Sequence, residues 1–288
     1  MEEVKCFLPQ TLAEALKIRK EFGAIPLAGG SDLMVTGSRG AGITPEFAKP
    51  VVILAGLSEL KGIRKLADGT VEIGALCTSH EIAENPDVHP LLRDAASRMG
   101  AIALRNIATI GGNIGNASPK GDMPQPLILL DAEVVLENVD GQRRMKVDDY
   151  IIATKKTAIH DDELITKVII PKTDFTHIFF RKVGMRRANA ISKLTLSAAA
   201  KIENGVVMDF RASSGAAGPK VMRSRQAEEL LIGKKVSELA DCKEEFLDAW
   251  NGVISPHAMP EYRRNTTRRM LSHFIDALIA GHPAGRVE

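Results

Sequence analysis

The 288 residues of this chain include 44% hydrophobic and 26% charged side chains, a balance typical of ordinary globular proteins. This length exceeds one typical domain, so two domains are expected. Lys and Arg total 38 against 36 Asp and Glu, and the net charge of +2 gives no long-range field that would attract nucleic acid or an anionic membrane. We therefore expect neither a nucleic-acid partner nor a membrane partner.

The cysteines and the first residues narrow the class of protein further. Cys6, Cys77 and Cys242 lie far apart, without the short spacings that indicate a zinc site or an iron–sulfur cluster, so no metal site is expected in this chain. The beginning of the sequence lacks a charged-then-apolar signal pattern, and no apolar run reaches the ~20 residues that span a bilayer. These features predict a cytoplasmic protein with reduced thiols.

Predicted helices and strands alternate over the first third of the chain. Thr11 and Glu14 have the T-x-x-E spacing of a helix-capping box, and apolar residues recur at helical spacing up to Gly23. A short buried strand over 25–28 then runs directly into Gly29–Gly30, where the backbone can turn tightly. Further strands are predicted over 51–54 and 71–75, and helices after the Thr78/Glu81 capping box and over 91–99.

The segment 105–122 has a different character. It carries five glycines or prolines and almost no helical periodicity. A long irregular segment inside a compact domain is usually functional, so chemistry is expected here. The apolar run over 127–136 then predicts one or two buried strands, and 164–170 predicts another strand that ends at Pro171.

The last third of the chain predicts a small antiparallel sheet followed by helices. Strands are expected over 178–180, 194–202 and 206–210, the last two joined at Asn204–Gly205, which is a strong type I′ hairpin signal. Helices follow over about 227–281. Because a strand ends at Pro171 and polar residues follow, we place a boundary between domains at 1–172 and 176–283.

Two glycine-rich loops could each bind a phosphate. In 27–34 (LAGGSDLM), paired glycines let successive backbone N–H groups point into one concavity that suits a phosphate, although this loop alone indicates a tight structural turn. In 105–122, small residues permit close approach by a diphosphate, while hydroxyl, amide and carboxylate groups can bind phosphate or ribose oxygens. Rossmann and P-loop fingerprints are both absent from the sequence. Two phosphate-binding loops in one domain predict a dinucleotide.

Together the motifs IRNIATIGGNIGNASPKGD and PLAGGSDL resemble the FAD subunits of the xanthine dehydrogenase and carbon monoxide dehydrogenase family, and the resemblance covers nearly the whole chain. It implies an α+β protein: a two-subdomain FAD-binding fold of the vanillyl-alcohol-oxidase (PCMH) type, then a small C-terminal domain with an antiparallel sheet and helices. Covalently linked relatives attach flavin through a histidine or cysteine near the glycine loops. Neither loop here contains one, so FAD is expected to be noncovalent.

The resemblance also implies the residues of the FAD site. The first loop would wrap the diphosphate with Ala28, Gly29, Gly30, Ser31, Asp32, Leu33 and Met34. The second loop would contribute Thr109, Ile110, Gly111, Gly112 and Asn113, with Met99 and Gly100 as further contacts. Ile165 would contact the cofactor from the strand before the boundary.

Two charged residues complete the implied site. Asp122 would bind the adenosine ribose, with an Asx-turn or helix cap as the alternative. Lys182 would lie beside the flavin, where a cation near the N1/C2=O edge stabilises the anionic reduced form. The alternative for Lys182 is a strand-edge lysine that faces water.

The implied function is electron transfer inside a molybdenum hydroxylase. A large partner subunit would hold the molybdenum cofactor, a small partner would carry two [2Fe-2S] clusters, and this chain would pass electrons through FAD to NAD or another acceptor. The family pattern implies a dimer of heterotrimers. Two alternatives stay open: a stand-alone FAD-dependent oxidoreductase, for which no convincing His or Tyr pair is present, and a non-catalytic flavin-binding assembly protein. Copurification of partner subunits would discriminate them.

Overall fold

The computed structural model describes residues 5–288; residues 1–4, on which the expectation about a signal pattern partly rests, lie outside them. The first subdomain is a three-stranded parallel sheet, of order β1-β3-β2, with one long helix. Its elements are β1 (Cys6–Phe7), α1 (Leu12–Phe22), β2 (Ile25–Leu27), α2 (Leu33–Thr36) and β3 (Val51–Ile53). Thr11 Oγ1 accepts from the Glu14 N–H, and Gly23 ends α1 with φ of 58°, which confirms both predicted helix boundaries.

The second subdomain is built on a five-stranded antiparallel sheet, of order β4-β5-β10-β6-β7. After a 3-10 turn at Ser58–Leu60, its first elements are β4 (Ile63–Lys65), β5 (Val71–Gly74), α3 (Ser79–Glu84), α4 (Pro90–Ser97), α5 (Ile102–Arg105), α6 (Ile110–Gly115) and α7 (Pro124–Leu129). They continue with β6 (Glu133–Asn138), β7 (Gly141–Lys146), α8 (Val147–Tyr150), β8 (Ile151–Ala153), β9 (Lys156–Thr157) and β10 (Leu164–Ile170). The helices pack over the apolar face of the sheet and form the largest core cluster.

The C-terminal part is a four-stranded sheet, of order β13-β12-β11-β14, with helices packed on it. Its elements are β11 (His177–Gly184), β12 (Ser192–Glu203), β13 (Val206–Gly215), α9 (Arg225–Glu229), α10 (Leu239–Val253), α11 (Pro260–Ile279) and β14 (Gly285–Arg286), with a 3-10 turn at Val236–Glu238. Asn204 has φ of 49° and Gly205 φ of 74°, the left-handed pair that a type I′ turn requires, so the predicted hairpin is confirmed. Within residues 5–288, no helix combines the length and apolarity needed to cross a bilayer.

The architecture confirms the α+β class, but two local predictions were wrong. The run 127–136 was expected to hold only strand, whereas α7 extends to Leu129 and β6 begins at Glu133. A short apolar run cannot be assigned to strand or helix by periodicity alone, and every residue of α7 is buried because the helix lies between the second subdomain and the C-terminal sheet.

The segment 105–122 is not irregular throughout, because α6 forms inside it. Thr109 caps this helix, since its Oγ1 accepts from the Gly112 N–H at 3.1 Å. This helix is short and rich in glycine, so the sequence shows no helical periodicity for it. The motif therefore consists of a helix flanked by loops.

Helix α7 also carries the polar contacts that join the two parts of the chain. Gln125 is fully buried; its Nε2 donates to the Ser213 carbonyl at 2.8 Å, and its Oε1 accepts from Ser197 Oγ at 3.0 Å. At the other end of the helix, Arg223 Nη1 donates to the Ile128 carbonyl and to Asp131 Oδ1. Buried polar contacts that are fully paired specify one packing arrangement. The C-terminal sheet is therefore held at a defined position relative to α7 and to Asp122, two residues before it.

Candidate functional site

A cavity of about 560 Å³ lies between the two N-terminal subdomains. The first glycine loop lines one side, and α6 with the preceding Thr109 lines the other. Eleven of the fifteen predicted site residues line it: Ala28, Gly29, Gly30, Ser31, Asp32, Leu33, Thr109, Gly111, Gly112, Asn113 and Ile165. Two motifs separated by some 80 residues in the sequence thus meet around one space.

Glycine is required where the two loops touch. A Cβ atom on Gly29 would lie 1.7 Å from the Ile107 carbonyl oxygen, and one on Gly111 would lie 2.8 Å from the Ala75 carbonyl oxygen. Both contacts involve backbone atoms, which cannot move aside easily. Gly112 is different, because its Cβ would meet only Thr109 Oγ1, at 3.0 Å. Gly29 and Gly111 therefore shape the cavity by close packing of the loops that form its walls.

The first loop presents unpaired backbone donors to the cavity. Within residues 5–288, the N–H groups of Gly29, Gly30, Ser31 and Asp32 donate to no protein acceptor. Successive free N–H groups in a turn, here with Gly30 at φ of 71°, form a concavity that binds anions. A donor set of this kind suits the oxygens of a diphosphate.

The second loop contributes differently. The N–H groups in the first turn of α6 are already used: that of Ile110 donates to the Cys77 carbonyl, that of Gly111 to the Ala75 carbonyl and that of Asn113 to the Thr109 carbonyl. Asn113 Oδ1, by contrast, is buried and has no hydrogen-bond partner in the described part of the chain. This loop thus offers close approach and one free side-chain acceptor in place of a row of amide donors.

Charged and aromatic residues that the motifs did not reveal also line the cavity. The guanidinium of Arg19 donates to the carbonyls of Ala24 and Glu163, and burial lowers its pKa. Tyr150 is fully buried, which raises its pKa to about 12 and keeps its hydroxyl neutral. Lys155 is exposed and contacts the Asn116 side chain. These residues lie outside both motifs in sequence and carry no motif signal of their own.

Asp122 and Lys182 do not line this cavity but form a buried ion pair with each other. Lys182 Nζ lies 2.6 Å from Asp122 Oδ2, and the two side chains are 7% and 6% exposed. Lys182 also donates to the Arg98 carbonyl, and Ser192 Oγ donates to Asp122 Oδ1 at 2.6 Å. Burial raises the pKa of Asp122, although Lys182 and Ser192 oppose the shift. Both alternatives from the sequence are therefore wrong: Lys182 does not face water, and the Asp122 carboxylate forms neither an Asx-turn nor a helix cap.

The remaining predicted residues are placed as follows. Met34, the last residue of the first loop, lies in α2, is exposed and does not line the cavity, whereas Ile110 is fully buried in the core. Met99 Sδ accepts from Asn113 Nδ2 at 3.6 Å. Since Lys182 donates to the carbonyl next to Met99, the contacts run from the cavity through Asn113 and Met99 to the Asp122–Lys182 pair.

Comparison with known proteins identifies both parts of the chain. Residues 2–173 match the family model for the FAD binding domain in molybdopterin dehydrogenase, and residues 179–278 match the CO dehydrogenase flavoprotein C-terminal domain. The nicotinate dehydrogenase FAD-subunit of Eubacterium barkeri is 34% identical over 246 residues, which cover 81% of each protein. The putative xanthine dehydrogenase FAD-binding subunit XdhB of Escherichia coli is 28% identical over 94% of each protein.

The fold has a solved counterpart. A chain of a carbon monoxide dehydrogenase from Hydrogenophaga pseudoflava superposes with a TM-score of 0.86 at 24% identity, covering 96% of this chain and 98% of that chain. The two matched domains identify the family, and the glycine-lined cavity with its unpaired N–H groups is consistent with it. The chain belongs to the family of FAD-binding subunits of molybdenum hydroxylases, which are oxidoreductases, and FAD is its cofactor.

Proposed function

We propose that this chain is the electron-transfer subunit of a molybdenum hydroxylase and functions only in complex with its partners. A small partner with [2Fe-2S] clusters would deliver electrons, and NAD or another acceptor would remove them. A large partner would hold the molybdenum cofactor, and the assembly would be a dimer of heterotrimers. Bound FAD supplies the two-electron chemistry that joins a one-electron donor to such an acceptor.

The observation that carries the proposal is the row of unpaired N–H groups at 29–32 beside the glycine-lined cavity. These residues are half-buried or exposed, so their N–H groups are accessible to a ligand, and a row of adjacent donors in a turn suits an anion. Gly29, Gly30 and Ser31 would hold the diphosphate of a noncovalent FAD. Asn113 Oδ1, the buried free acceptor, would receive a hydrogen bond from the same ligand.

The Asp122–Lys182 pair would border the flavin end of the cofactor. Asn113 and Met99 connect the cavity to this pair. Among residues 5–288, none that lines the cavity belongs to the C-terminal part of the chain, so Lys182 is its nearest approach through these contacts. In this arrangement Lys182 places a fixed positive charge near the ring, and Asp122 holds the lysine in place. Ile165 would contact the cofactor from β10.

The site also bears on the alternatives. A stand-alone oxidoreductase needs an acid or base beside the flavin that can move a substrate proton. Tyr150, whose pKa is raised to about 12, is poorly suited to that role, and the cavity lining contains no histidine among the described residues. These features favour a chain that positions FAD for electron transfer.

Titration of the apoprotein with FAD tests the placement of the cofactor. Gly29→Ala would force the first loop away from the Ile107 carbonyl and should weaken FAD binding at least tenfold, whereas Gly56→Ala adds a Cβ where nothing lies within 4 Å and should bind normally. Equal affinity of the two variants would contradict the assignment of this loop.

Partner subunits are tested by purifying the chain from its native source and identifying copurifying proteins by mass spectrometry. Recovery with a large molybdenum-containing subunit and a small [2Fe-2S] subunit is the expected result. A lone chain that turns over an organic substrate would favour the stand-alone oxidoreductase. A lone chain that binds FAD without turnover would favour the assembly protein.

A further inference from the structure

The buried Asp122–Lys182 pair has a third member, Ser192, which is the first residue of β12. Ser192 is 3% exposed, and its Oγ donates to Asp122 Oδ1 at 2.6 Å, while Lys182 Nζ donates to Oδ2. A distance this short is typical of a hydrogen bond from a hydroxyl to a charged acceptor. Because the hydroxyl donates to the carboxylate, the contact favours the ionised form of Asp122.

A bulge in β12 brings Ser192 to this position. A regular ladder would place Lys193 opposite Gly184, but the register shifts by one residue at this point, and Ser192 takes that place. Gly184 and Lys182 are two residues apart on β11, and residues with this spacing share one face of a sheet. Directly opposite residues also share a face, so the bulge turns Ser192 toward the side that carries Lys182. Bulges of this kind re-aim single side chains and are frequent beside active sites.

The Asp122 carboxylate depends on few donors. Within residues 5–288, neither a backbone N–H nor any side chain other than those of Lys182 and Ser192 donates to it. The other charged residues on the surrounding segments do not contact the carboxylate; they are Arg98, Arg105, Lys120 and Lys193. Burial raises the pKa of Asp122, while Lys182 and Ser192 oppose the shift. Ser192 therefore supplies one of the two hydrogen bonds that keep a buried carboxylate charged.

We propose that Ser192 is a positioning residue that keeps the Asp122–Lys182 pair ionised and thereby sets the net charge beside the flavin. With both members charged, the pair is electrically neutral. When the carboxyl takes up a proton from water, Lys182 remains as an unbalanced positive charge, which favours the reduced flavin. Ser192 does not line the cofactor cavity, so it acts through Asp122. The inference rests on the proposed function, because it requires the flavin to lie beside the pair.

The ionisation of Asp122 can be measured without FAD. Isotope-labelled aspartate gives an NMR titration of the carboxyl carbons in the full-length apoprotein, and the Asp122 signal is identified by its absence in Asp122→Asn. In Ser192→Ala this signal should titrate at a higher pH than in the wild type, because the charged form has lost a hydrogen bond. Ser192→Thr keeps the hydroxyl and should restore the wild-type titration.

A second buried serine provides the matched control. Ser214, on β13, is fully buried, and its Oγ donates to the Thr195 carbonyl at 3.0 Å and not to Asp122. Ser214→Ala therefore removes a hydroxyl from the same sheet without touching the carboxylate, and the Asp122 signal should titrate as in the wild type. An Asp122 titration that is the same in Ser192→Ala as in Ser214→Ala would overturn the proposal.

Spectroelectrochemical titration of the FAD-loaded chain measures the effect on the flavin. The midpoint potential of Ser192→Ala should exceed that of the wild type over the pH range in which only the variant has a protonated Asp122. At higher pH, where Asp122 is ionised in both proteins, the two potentials should converge. Asp122→Asn should raise the potential as well, and adding Ser192→Ala to it should change nothing further, because Ser192 acts through the carboxyl.

The two measurements separate the ways in which the inference can fail. A Ser192→Ala effect on the potential that persists in the Asp122→Asn background would show that Ser192 acts by another route, and a potential that falls in Ser192→Ala would contradict the sign of the effect. Failure of the proposed function would look different. The Asp122 titration would then shift in the apoprotein while the flavin potential stayed at the wild-type value, which would disprove the placement of the flavin beside the pair.

Discussion

Replacement of Lys182 by Met removes a positive charge from a buried pair while keeping most of the packing of the side-chain stem. In the wild type, Lys182 Nζ contacts Asp122 Oδ2 and the Arg98 carbonyl, and Ser192 Oγ is the other donor to the carboxylate. The variant leaves Asp122 buried with Ser192 as its remaining side-chain donor. The consequences for the flavin therefore depend on whether Asp122 stays charged.

Where Asp122 stays ionised, the variant loses one positive charge near the flavin. A partly desolvated charge is worth about 1–3 kcal/mol, which corresponds to about 20–60 mV for a two-electron couple, so the midpoint potential should fall by that amount. Loss of Lys182 raises the pKa of Asp122 further, because burial already raises it and Lys182 was the largest opposing influence. At a pH below that pKa, Asp122 takes up a proton, the pair has lost one charge of each sign, and the potential should return toward the wild-type value.

The stability of the variant should show the same dependence on pH. Removing one partner of a buried ion pair costs about 3–5 kcal/mol. A carboxyl whose folded-state pKa is raised binds its proton more tightly in the folded state, so it favours folding at low pH, and that contribution is lost as pH rises through the folded pKa. Lys182→Met should therefore be destabilised less in acid than at neutral pH.

Spectroelectrochemical titration across a pH series measures the potential, and urea denaturation measures the stability. Lys182→Met/Asp122→Asn should recover part of the lost stability, because no uncompensated charge remains. Lys193→Met, a neighbouring half-buried lysine outside the Asp122 pair, is the control and should keep the wild-type potential. An unchanged or raised potential in Lys182→Met at neutral pH would refute the placement of the flavin beside Lys182.

The second glycine loop, the attachment of the cofactor and the half-buried His89 each support a further prediction. Gly111→Val should lose FAD and lower the stability of the apoprotein by about 1–3 kcal/mol, because the valine side chain would overlap Ala75. Gly112→Val should lower the flavin content with little loss of apoprotein stability. Melting curves measure the stability and flavin absorbance measures the content; equal losses of stability in the two variants would contradict the packing argument. Acid precipitation should release all the yellow chromophore into the supernatant, and retention by the protein pellet would disprove noncovalent binding. Burial lowers the pKa of His89 to about 4, so the free energy of unfolding should fall as pH drops from about 6.5 toward 4. His89→Asn can still cap α4 and should flatten this pH dependence in urea titrations. An unchanged dependence in the variant would exclude His89 as its source.

Much of the site could be predicted because its loops depend on local chemistry. Gly29 and Gly111 stand in runs of small residues, which are visible in the sequence itself. The structure explains these glycines, because a Cβ at either position would overlap backbone atoms. The Thr78 capping box and the Asn204–Gly205 turn are equally local, and both form as predicted. Thr11 caps α1 as expected, but the Glu14 carboxylate accepts from the Gln10 N–H instead of the Thr11 N–H, so only half of that capping box forms. Such signals need only a few neighbouring residues.

Other features depend on contacts between distant segments. Arg19 and Lys155 reach the cavity from α1 and from the turn between β8 and β9, and no motif connects them to the glycine loops. Helix α7 was mistaken for strand because it is buried on all sides, which removes the amphipathic pattern that identifies a helix. The pairing of Asp122 with Lys182 depends on how β11 packs against the FAD-binding part, which local sequence does not encode.

Electron transfer into the flavin tests the central claim most directly. The FAD-loaded chain should be mixed anaerobically with its [2Fe-2S] partner, reduced beforehand, and the visible absorbance of the flavin followed by stopped flow. We expect rapid loss of flavin absorbance with the reduced partner and none with the oxidised partner. A flavin that the reduced partner leaves oxidised, or that an organic substrate reduces in the isolated chain, would contradict the proposed role.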